Sequence, residues 1–511
     1  MKKRNKFSLS HYKLLTARMG QLLPISIYEV LPGDTVQQNT SLFIRMAAMV
    51  TPVMHPLKIR IHHWYVPFRL IWDDFEDFIT GGADGLDDTI PPYQDGTNIS
   101  FAPGTLADYL GLPVNPVGAP PKYSVLPFRA YANIYNEWYR DQDLEEEVVF
   151  SKASGLDTTT SRALQMADWE RDYFTTARPW PQKGSQVTVP LSGAGQSIVT
   201  SNKQPTLIAY RDDTNPPYTG AERIMCQTVG SSNSRIMNTY STTQPQAPIG
   251  DYYLKWGTET GMQLGGSAGI DVNALREAFA LQRFEEHRAM YGSRYTEYLR
   301  YLGVKASDAR LQRPEYLGGG SSTIQFSEVL QSSPGGNPVG TLRGHGIGAM
   351  RSNRFRRFIE EHGYVITLMS AIPRSIYMQG VPRLWSRETK EDFWQKELEH
   401  IGQQEVYTDE LYAAYNADGS RIVFGYQNRY DDYREIQSSV CGEFRNTEKY
   451  WHLARDFTAP PVLNASFLSA NPSPRIFADP GTESRQAQQM YIMANHSIQA
   501  RRLLSRNGNP I

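Results

Sequence analysis

The chain has 511 residues, a length that can bury a sizeable core in one elaborated domain or in several. Its formal net charge of -1 excludes a protein that neutralises nucleic acid along its whole surface, so any such contact must come from local basic patches. Two cysteines, Cys226 and Cys441, exclude a disulfide framework, and the lack of an apolar run or signal-peptide core predicts a soluble protein made in the cytoplasm. The 40 Gly, 32 Pro and 30 Tyr favour β structure with long loops.

The first predicted elements are two strands. LLPISIYEVLPGDTV, residues 22–36, is an apolar and β-branched run that ends in a Pro-Gly-Asp turn. PLKIRIHHWYVPFRLIW, residues 56–72, alternates apolar side chains with Lys58 and Arg60, which predicts a half-buried strand that ends near Pro67 at an edge or a bend. WDDFEDFITGG then predicts a short helix, and TLADYLG a single helical turn.

RAYANIYNEWYRDQDL, residues 129–144, predicts an amphipathic helix. Its rings recur at i, i+4, i+7 and i+8 and share one side, while Arg129 and most other charges lie off that stripe. One interpretation is a stripe packed on the core, which is the commoner case. The other is a contact between subunits, because aromatic residues and Arg are enriched there. The candidate interface residues are Tyr131, Tyr135, Trp138, Tyr139 and Arg140.

The middle of the chain changes character. PWPQKGSQVTVPL, residues 179–191, predicts a stiff corner followed by an alternating strand. Residues 192–268 are dense in Ser, Thr, Asn, Gln and Gly but keep apolar anchors, so they predict a surface insertion with some structure of its own. Residues 271–303 predict the longest helix, with Asp271 as its N-cap and a kink at Gly292.

Later strands are predicted at TIQFSEVL, residues 323–330, at GYVITLMSAIP, residues 363–373, and in MYIMANHSIQARRL near the end of the chain. Helices lie between strands that are far apart in sequence, without βαβ regularity or an internal repeat. Antiparallel sheets with large insertions between strands are therefore expected.

No catalytic, cofactor or metal site is predicted. GGGSS at 318–322 and GHGIGAM at 344–350 lack the Lys-Ser/Thr ending of a phosphate loop, and GGSAG at 265–269 lacks the strand that precedes a nucleophile elbow. His62 and His63 are adjacent on a strand and point to opposite faces, so a hydrogen-bonding role is expected for them rather than a shared metal. The chain is therefore not expected to be an enzyme.

Three basic groups can neutralise phosphates, or alternatively form solvated faces and solubilising tails. An N-terminal arm, residues 1–20, contains Lys2, Lys3, Arg4, Lys6, Lys13 and Arg18. An internal cluster contains Arg351, Arg354, Arg356 and Arg357, and a C-terminal cluster contains Arg501, Arg502 and Arg506. Tyr12 or Phe355 can stack on unpaired bases beside them.

The chain resembles the major capsid proteins of the Microviridae, small tailless phages with circular single-stranded DNA, on the gokushovirus-like side of that family. The resemblance is carried by IYEVLPGDTV, by WYVPFRLIWDDFEDF, by residues 129–144 and by YFTTARPWPQKGSQVTVPL. HSIQARRLLSRNGNPI at the C-terminus also fits the family pattern.

This resemblance implies a mainly β fold, an eight-stranded antiparallel jelly-roll in which residues 1–511 form one domain with helices in long inter-strand insertions. It implies sixty copies in a T=1 icosahedral shell around single-stranded DNA, in a virion assembled in the host cytoplasm, with no cofactor. Implied partners are the chain itself, the genome, a small basic DNA-binding protein and a pilot protein. The 192–268 insertion would project from the shell and bear on a host receptor or on shell stability. The N-terminal arm or the C-terminal arginines would face the DNA.

Two other classes of protein remain open from the residues alone. A carbohydrate-binding β-sandwich would need a concave site with exposed aromatic side chains. A hydrolase would need a convergent acid, base or metal set, which the sequence does not show.

Overall fold

The computed structural model describes residues 4–96, 99–118, 121–188, 272–292, 294–305, 307–330, 332, 340–479, 481 and 488–506, and the backbone of four strands between 207 and 256. Contacts divide the chain into two compact units, one formed by residues 1–185 and 282–511 and the other by residues 186–281. No helix of the described part is long and apolar enough to cross a membrane.

Among the elements that the structure describes, strands outnumber helices. Those of the first half are β1 (Asn5–Ser8), β2 (His11–Ala17), β3 (Leu23–Val30), β4 (Thr35–Met46), β5 (Leu57–Pro67), β6 (Tyr93–Gln94), β7 (Tyr123–Ser124), β8 (Leu207–Arg211), β9 (Arg223–Thr228), β10 (Arg235–Tyr240) and β11 (Tyr252–Trp256). Those of the second half are β12 (Glu315–Leu330), β13 (Leu342–Arg351), β14 (Phe355–Phe358), β15 (Gly363–Pro373), β16 (Gln403–Tyr407), β17 (Val423–Asn428) and β18 (Met490–Arg502). The helices are α1 (Phe75–Thr80), α2 (Leu106–Leu110), α3 (Leu126–Trp138), α4 (Val272–Tyr291), α5 (Tyr295–Tyr301) and α6 (Ala465–Leu468).

The larger unit is organised by one antiparallel sheet of ten strands. Eight of them follow the order β1-β18-β4-β13-β12-β5-β15-β3, while β2 also pairs with β18 and β14 with β4. The long strand β12 curls the sheet, because its first half pairs with β5 and its second half, from Gln325, pairs with β13. The result is two layers. We call β5, β15 and β3 the covered layer, and β1, β2, β18, β4, β13 and β14 the open layer.

The main core lies between these layers. Ile44 of β4 and Ile492 of β18 pack in one cluster with Ile59 of β5 and Met369 of β15. Strands β4 and β18 alternate core-facing and outward residues, as expected for a period-2 strand with one covered face. Burial of this apolar surface is the main stabilising term for the sandwich.

A helix covers the second face of the covered layer. Phe128, Tyr131 and Ile134 of α3 pack in one cluster with Trp64 of β5 and Ile366 of β15. Strand β15 is consequently buried at every position. Burial on both faces explains why its sequence is a continuous apolar run rather than an alternating one.

The predicted fold class is confirmed: the chain is mainly β, with a large curled antiparallel sheet and inserted helices, as in a jelly-roll. The strand predicted over 363–373 has those bounds. The strand predicted over 56–72 ends at Pro67, where the chain bends into a single 3-10 turn, so the bend is confirmed; the strand lies between β12 and β15 and not at an edge. Strand β12 begins before its predicted start and takes in GGGSS.

Three predicted elements differ from the structure. The helix predicted over 129–144 begins at Leu126, because Pro127 suits the first helical turn, and ends at Trp138. The helix predicted over 271–303 is two helices, and they separate at Gly292, φ 94°, which is the residue where a kink was predicted. Its predicted cap Asp271 lies outside the described residues. Residues 186–188 are irregular although they alternate, and 189–191 lie outside the described residues.

The smaller unit contains two antiparallel strand pairs. Strand β8 pairs with β11, and β9 pairs with β10. The apolar anchors that the sequence marked within 192–268 fall in these strands. The rest of that insertion lies outside the described residues.

The glycines of GHGIGAM belong to strand β13 and not to a loop. Gly344, Gly346 and Gly348 face the core at every second position. A Cβ on Gly344 would lie 1.9 Å from the carbonyl oxygen of Thr51, so the backbone at Thr51 approaches too closely for residue 344 to carry a side chain. The repeat is therefore explained by packing rather than by a phosphate.

Candidate nucleic-acid interface

The basic N-terminal segment is part of the sheet and not a free arm. Strands β1 and β2 both pair with β18. Exposed and partly buried side chains alternate along this segment, as expected for a strand with one covered face. Lys13 points inward, where its Nζ donates to the carbonyl oxygen of Pro24 at 3.2 Å and burial lowers the pKa of Lys13 to about 8. Arg4 is exposed and donates to Gly33 and Thr35. Lys2 and Lys3 lie outside the described residues.

The same pairing joins the two ends of the chain. Lys6 of β1 lies opposite Arg501 of β18, and both side chains point outward. Arg502 points the other way, with its Nε 3.0 Å from Oδ2 of the buried Asp34. Arg506 is exposed beyond the end of β18. From the sequence, either the N-terminal arm or the C-terminal arginines were predicted to contact DNA. In the structure Lys6 of the first group and Arg501 of the second are neighbours.

The internal arginine cluster lies on the same face. Outward residues of the open layer form rows across the strands, because their registers are continuous from β1 to β14. Arg356 lies opposite Gln37, and Arg351 lies opposite Ser41. Arg354 and Arg351 border a small polar pocket with Ser497 of β18. Arg357 instead pairs with Glu315. We call this outward surface of the open layer the open face.

The open face has no carboxylates of its own. The six strands β1, β2, β4, β13, β14 and β18 contain not one Asp or Glu residue. Among the described residues, Lys6, Arg351, Arg354, Arg356 and Arg501 have no ion-pair partner, whereas Arg129, Arg178, Arg313 and Arg383 each pair with a carboxylate. The local field of this face is therefore positive, although the chain as a whole is nearly neutral.

The sequence analysis missed this segregation of charge. The sequences of the six strands of the open layer contain no acidic residue, which could have been noticed from the sequence. Only the sheet topology shows that these six strands are neighbours. The two predicted stacking residues separate: Tyr12 is exposed on the open face, and Phe355 is buried against the core. Phe355 therefore cannot stack on a base.

The candidate interface residues of α3 are largely used inside the subunit. Tyr131 is buried, and its hydroxyl donates to the carbonyl oxygen of Leu22 at 2.8 Å. Tyr135 is also buried, with its hydroxyl 3.4 Å from Glu145. Trp138 donates to the carbonyl oxygen of Pro314 at 2.9 Å and lies against the Arg313 guanidinium. Trp138, Tyr139 and Arg140 are only partly buried, and for these three the contact with another subunit stays a prediction.

Arg129, which was expected off the ring stripe, is fully buried. Its Nε and Nη2 donate to Asp157 Oδ2 at 2.9 and 2.7 Å, and its Nη1 donates to the carbonyl oxygen of Ile71 at 3.0 Å. The ion pair fixes α3 to the segment that contains Asp157, and the hydrogen bond to Ile71 fixes it to a second segment. The helical wheel could not show it, because Asp157 is distant in sequence.

The two adjacent histidines have separate hydrogen-bonding roles, as expected. His62 Nδ1 lies 2.7 Å from the hydroxyl of Tyr139, on the side covered by α3. His63 lies between the layers, within 2.9 Å of Thr367 Oγ1 and 3.1 Å of Ser352 Oγ. Among the described residues, no group of three or more His, Cys, Asp or Glu side chains is arranged to hold a metal ion.

The jelly-roll sheet is an architecture of viral capsid subunits, lectin domains and cupins, and a basic face whose strands contain no carboxylate favours the capsid class among them. All 511 residues match the family described as Capsid protein (F protein), and the chain belongs to that family. It is 34% identical to capsid protein VP1 of Bdellovibrio phage phiMH2K, over 92% of this chain and 88% of the relative. It is 32% identical to VP1 of Chlamydia phage 1, over 94% and 91%, and 28% identical to VP1 of Spiroplasma virus 4, over 91% and 87%.

The resemblance to gokushovirus-like capsid proteins of the Microviridae is thereby confirmed. Membership of a family of structural capsid proteins also agrees with the prediction that the chain is not an enzyme. The protein is a viral capsid protein.

Proposed function

We propose that this chain forms a T=1 icosahedral shell of sixty copies around a single-stranded DNA genome, with the open face toward the DNA. The observation that carries the genome contact is the open face itself, which joins unpaired cations from three parts of the chain and contains no carboxylate in its six strands. Phosphates attract such a face without sequence preference.

The distribution of charge supports this orientation. The chain has 52 basic and 53 acidic residues, so an excess of cations on one face leaves an excess of carboxylates elsewhere. A shell built in this way attracts the genome on one side only. Because its total charge cannot neutralise a genome, a separate small basic DNA-binding protein fits the proposal, beside a pilot protein.

The genome contact is tested by the salt dependence of single-stranded DNA binding. Replacing Lys6, Arg351 and Arg501 by Gln should reduce the slope of log K against log salt by about 0.7 for each lost phosphate contact, roughly 2 in total. The matched control replaces three other exposed cations, Arg310, Lys390 and Lys396, by Gln. Equal slopes for the two triple variants would overturn the assignment of the open face.

Assembly is tested by electron microscopy of the purified protein, expressed with its phage partners and treated with nuclease. Uniform small icosahedral shells are expected, with nuclease-protected single-stranded DNA inside. A clean monomer or dimer under all conditions would contradict the capsid assembly. Alanine at Trp138 probes the contact between subunits, and normal folding with normal assembly would remove α3 from that interface.

The 192–268 insertion is proposed to serve host attachment or shell stability. Its support is its polar composition and its own paired strands, β8 with β11 and β9 with β10. A short glycine linker in place of the insertion should reduce adsorption to the host or lower the melting temperature of the shell. Unchanged infectivity and unchanged melting would reject both roles.

A further inference from the structure

Beside its basic rows, the open face carries a patch of rings and apolar side chains that phosphate binding does not explain. One row contains Leu14, Met493 and Phe43, and the next contains Thr16, Tyr491, Arg45 and Ile347. Tyr12 lies one row nearer the basic end, opposite Asn495. We call Tyr12, Leu14, Phe43, Tyr491 and Met493 the ring patch.

The ring patch is strongly exposed. Tyr12 is 70% exposed, Leu14 is 78% exposed and Tyr491 is 52% exposed. Next to them runs an open groove of about 500 Å³, whose lining includes Leu14, Phe43, Arg45, Tyr491 and Met493. Arg45 is the one cation in the two rows that contain Leu14 and Tyr491, and its guanidinium lies 5.5 Å from the centre of the Phe43 ring. A contiguous surface of this kind marks a binding site.

Charge decides which occupant fits. The strands that carry the ring patch contain no carboxylate, and the basic rows continue on the same strands. One carboxylate, Asp108 of α2, lines the groove together with Lys13, and its Oδ2 accepts from the backbone N–H of Gly104 at 2.8 Å. A partner must therefore offer flat apolar surfaces together with repeated negative charge. Unpaired nucleic acid offers both, because each base has a π-face and each nucleotide a phosphate.

We infer that bases of the single-stranded genome stack on Tyr12 and Tyr491 while its phosphates lie over Lys6, Arg351 and Arg501. This inference rests on the proposed function and adds the contact with the bases. Tyr12 lies opposite Asn495, four residues along β18 from Tyr491, so the two rings are about 14 Å apart and engage different bases. Arg351 lies in the same row as Tyr12, three strands away, or about 14 Å.

The test compares two oligonucleotides of equal length, one of thymidines and one abasic, which carry the same phosphates. The full-length protein should bind the thymidine strand more tightly. Replacing Tyr12 and Tyr491 by Leu should weaken thymidine binding at least about 25-fold, about fivefold for each ring, and leave abasic binding and its salt slope unchanged. The control replaces two rings of similar exposure outside the open layer, Tyr295 and Tyr415, by Leu.

The outcomes separate this inference from the proposed function. Equal losses on thymidine and abasic strands, or equal losses in the control variant, would overturn stacking while leaving the basic rows in place. A normal salt slope in the Lys6, Arg351 and Arg501 variant would instead reject the genome-facing assignment itself.

A second measurement uses the assembled particle. A genome substituted with bromouracil should crosslink, under ultraviolet light, to the peptides that contain Tyr12 and Tyr491. Crosslinks found only elsewhere would overturn the inference. So would a ring patch that is equally protected from labelling in DNA-free shells, because a protein would then cover it.

Discussion

A buried histidine pair between the two sheet layers makes the stability of this protein dependent on pH. His496 Nε2 lies 3.1 Å from the carbonyl oxygen of Ile25, so Nε2 carries the proton and Nδ1 accepts from Thr40 Oγ1 at 3.0 Å. His63 is held in the same interior. Burial lowers the pKa of each histidine to about 3.

The sign follows from proton binding. Between about pH 6.5 and pH 3 the unfolded chain protonates these histidines and the folded protein does not, so stability falls as the pH falls. At pH 5, about 1.5 units below the ordinary histidine pKa of about 6.5, protonation stabilises the unfolded state by about 2 kcal/mol for each histidine. The pair therefore accounts for a loss of about 4 kcal/mol between pH 7.5 and pH 5.

The assay is denaturant unfolding of the purified full-length protein at both pH values, compared with a variant in which His63 and His496 are Gln. The variant can be less stable at pH 7.5, because only the change with pH is compared. Its loss on acidification should be smaller by about 4 kcal/mol. Equal losses in the two proteins would refute the reasoning and assign the acid sensitivity to other groups.

Two further predictions concern packing. Arg129→Met should lower the free energy of unfolding by about 3–5 kcal/mol, because it leaves the buried Asp157 carboxylate without its cation. Arg434→Met removes an exposed pair with Asp431 and should lower it by under about 1 kcal/mol. Similar midpoint shifts in chemical unfolding would contradict this. Gly344→Ala should destabilise by at least about 1–3 kcal/mol, because its Cβ meets a backbone oxygen, and Gly348→Ala should cost less, because its Cβ meets side-chain carbons 3.1 Å away. Equal melting temperatures for these two variants would show that β13 can shift.

The sequence predicted most of the covered layer. GYVITLMSAIP is apolar at nearly every position, and only a strand buried on both faces makes such a run favourable. Alternation in the 56–72 segment predicted β5 down to its end at Pro67. Such periods are properties of one contiguous segment, so they can be recognised without knowing which strands pair with that segment.

The sequence alone could not place the functional surface. Lys6 and Arg501 are separated by nearly the whole chain, and they are neighbours only because β1 pairs with the last strand of the sheet. The same pairing converted a predicted basic arm into two strands. Tyr131 and Arg129 lay in a helix that the sequence predicted, yet their partners Leu22 and Asp157 come from other segments.

The sequence by itself determined that this is a mainly β capsid subunit, because the strand periods and the quoted motifs are written in short contiguous stretches. Only the tertiary structure decided which cations are paired, which rings are buried and which strands share the open face. The physical reason is that hydrogen-bonded strand pairing joins segments without regard to their distance along the chain, and electrostatic fields depend on position in space.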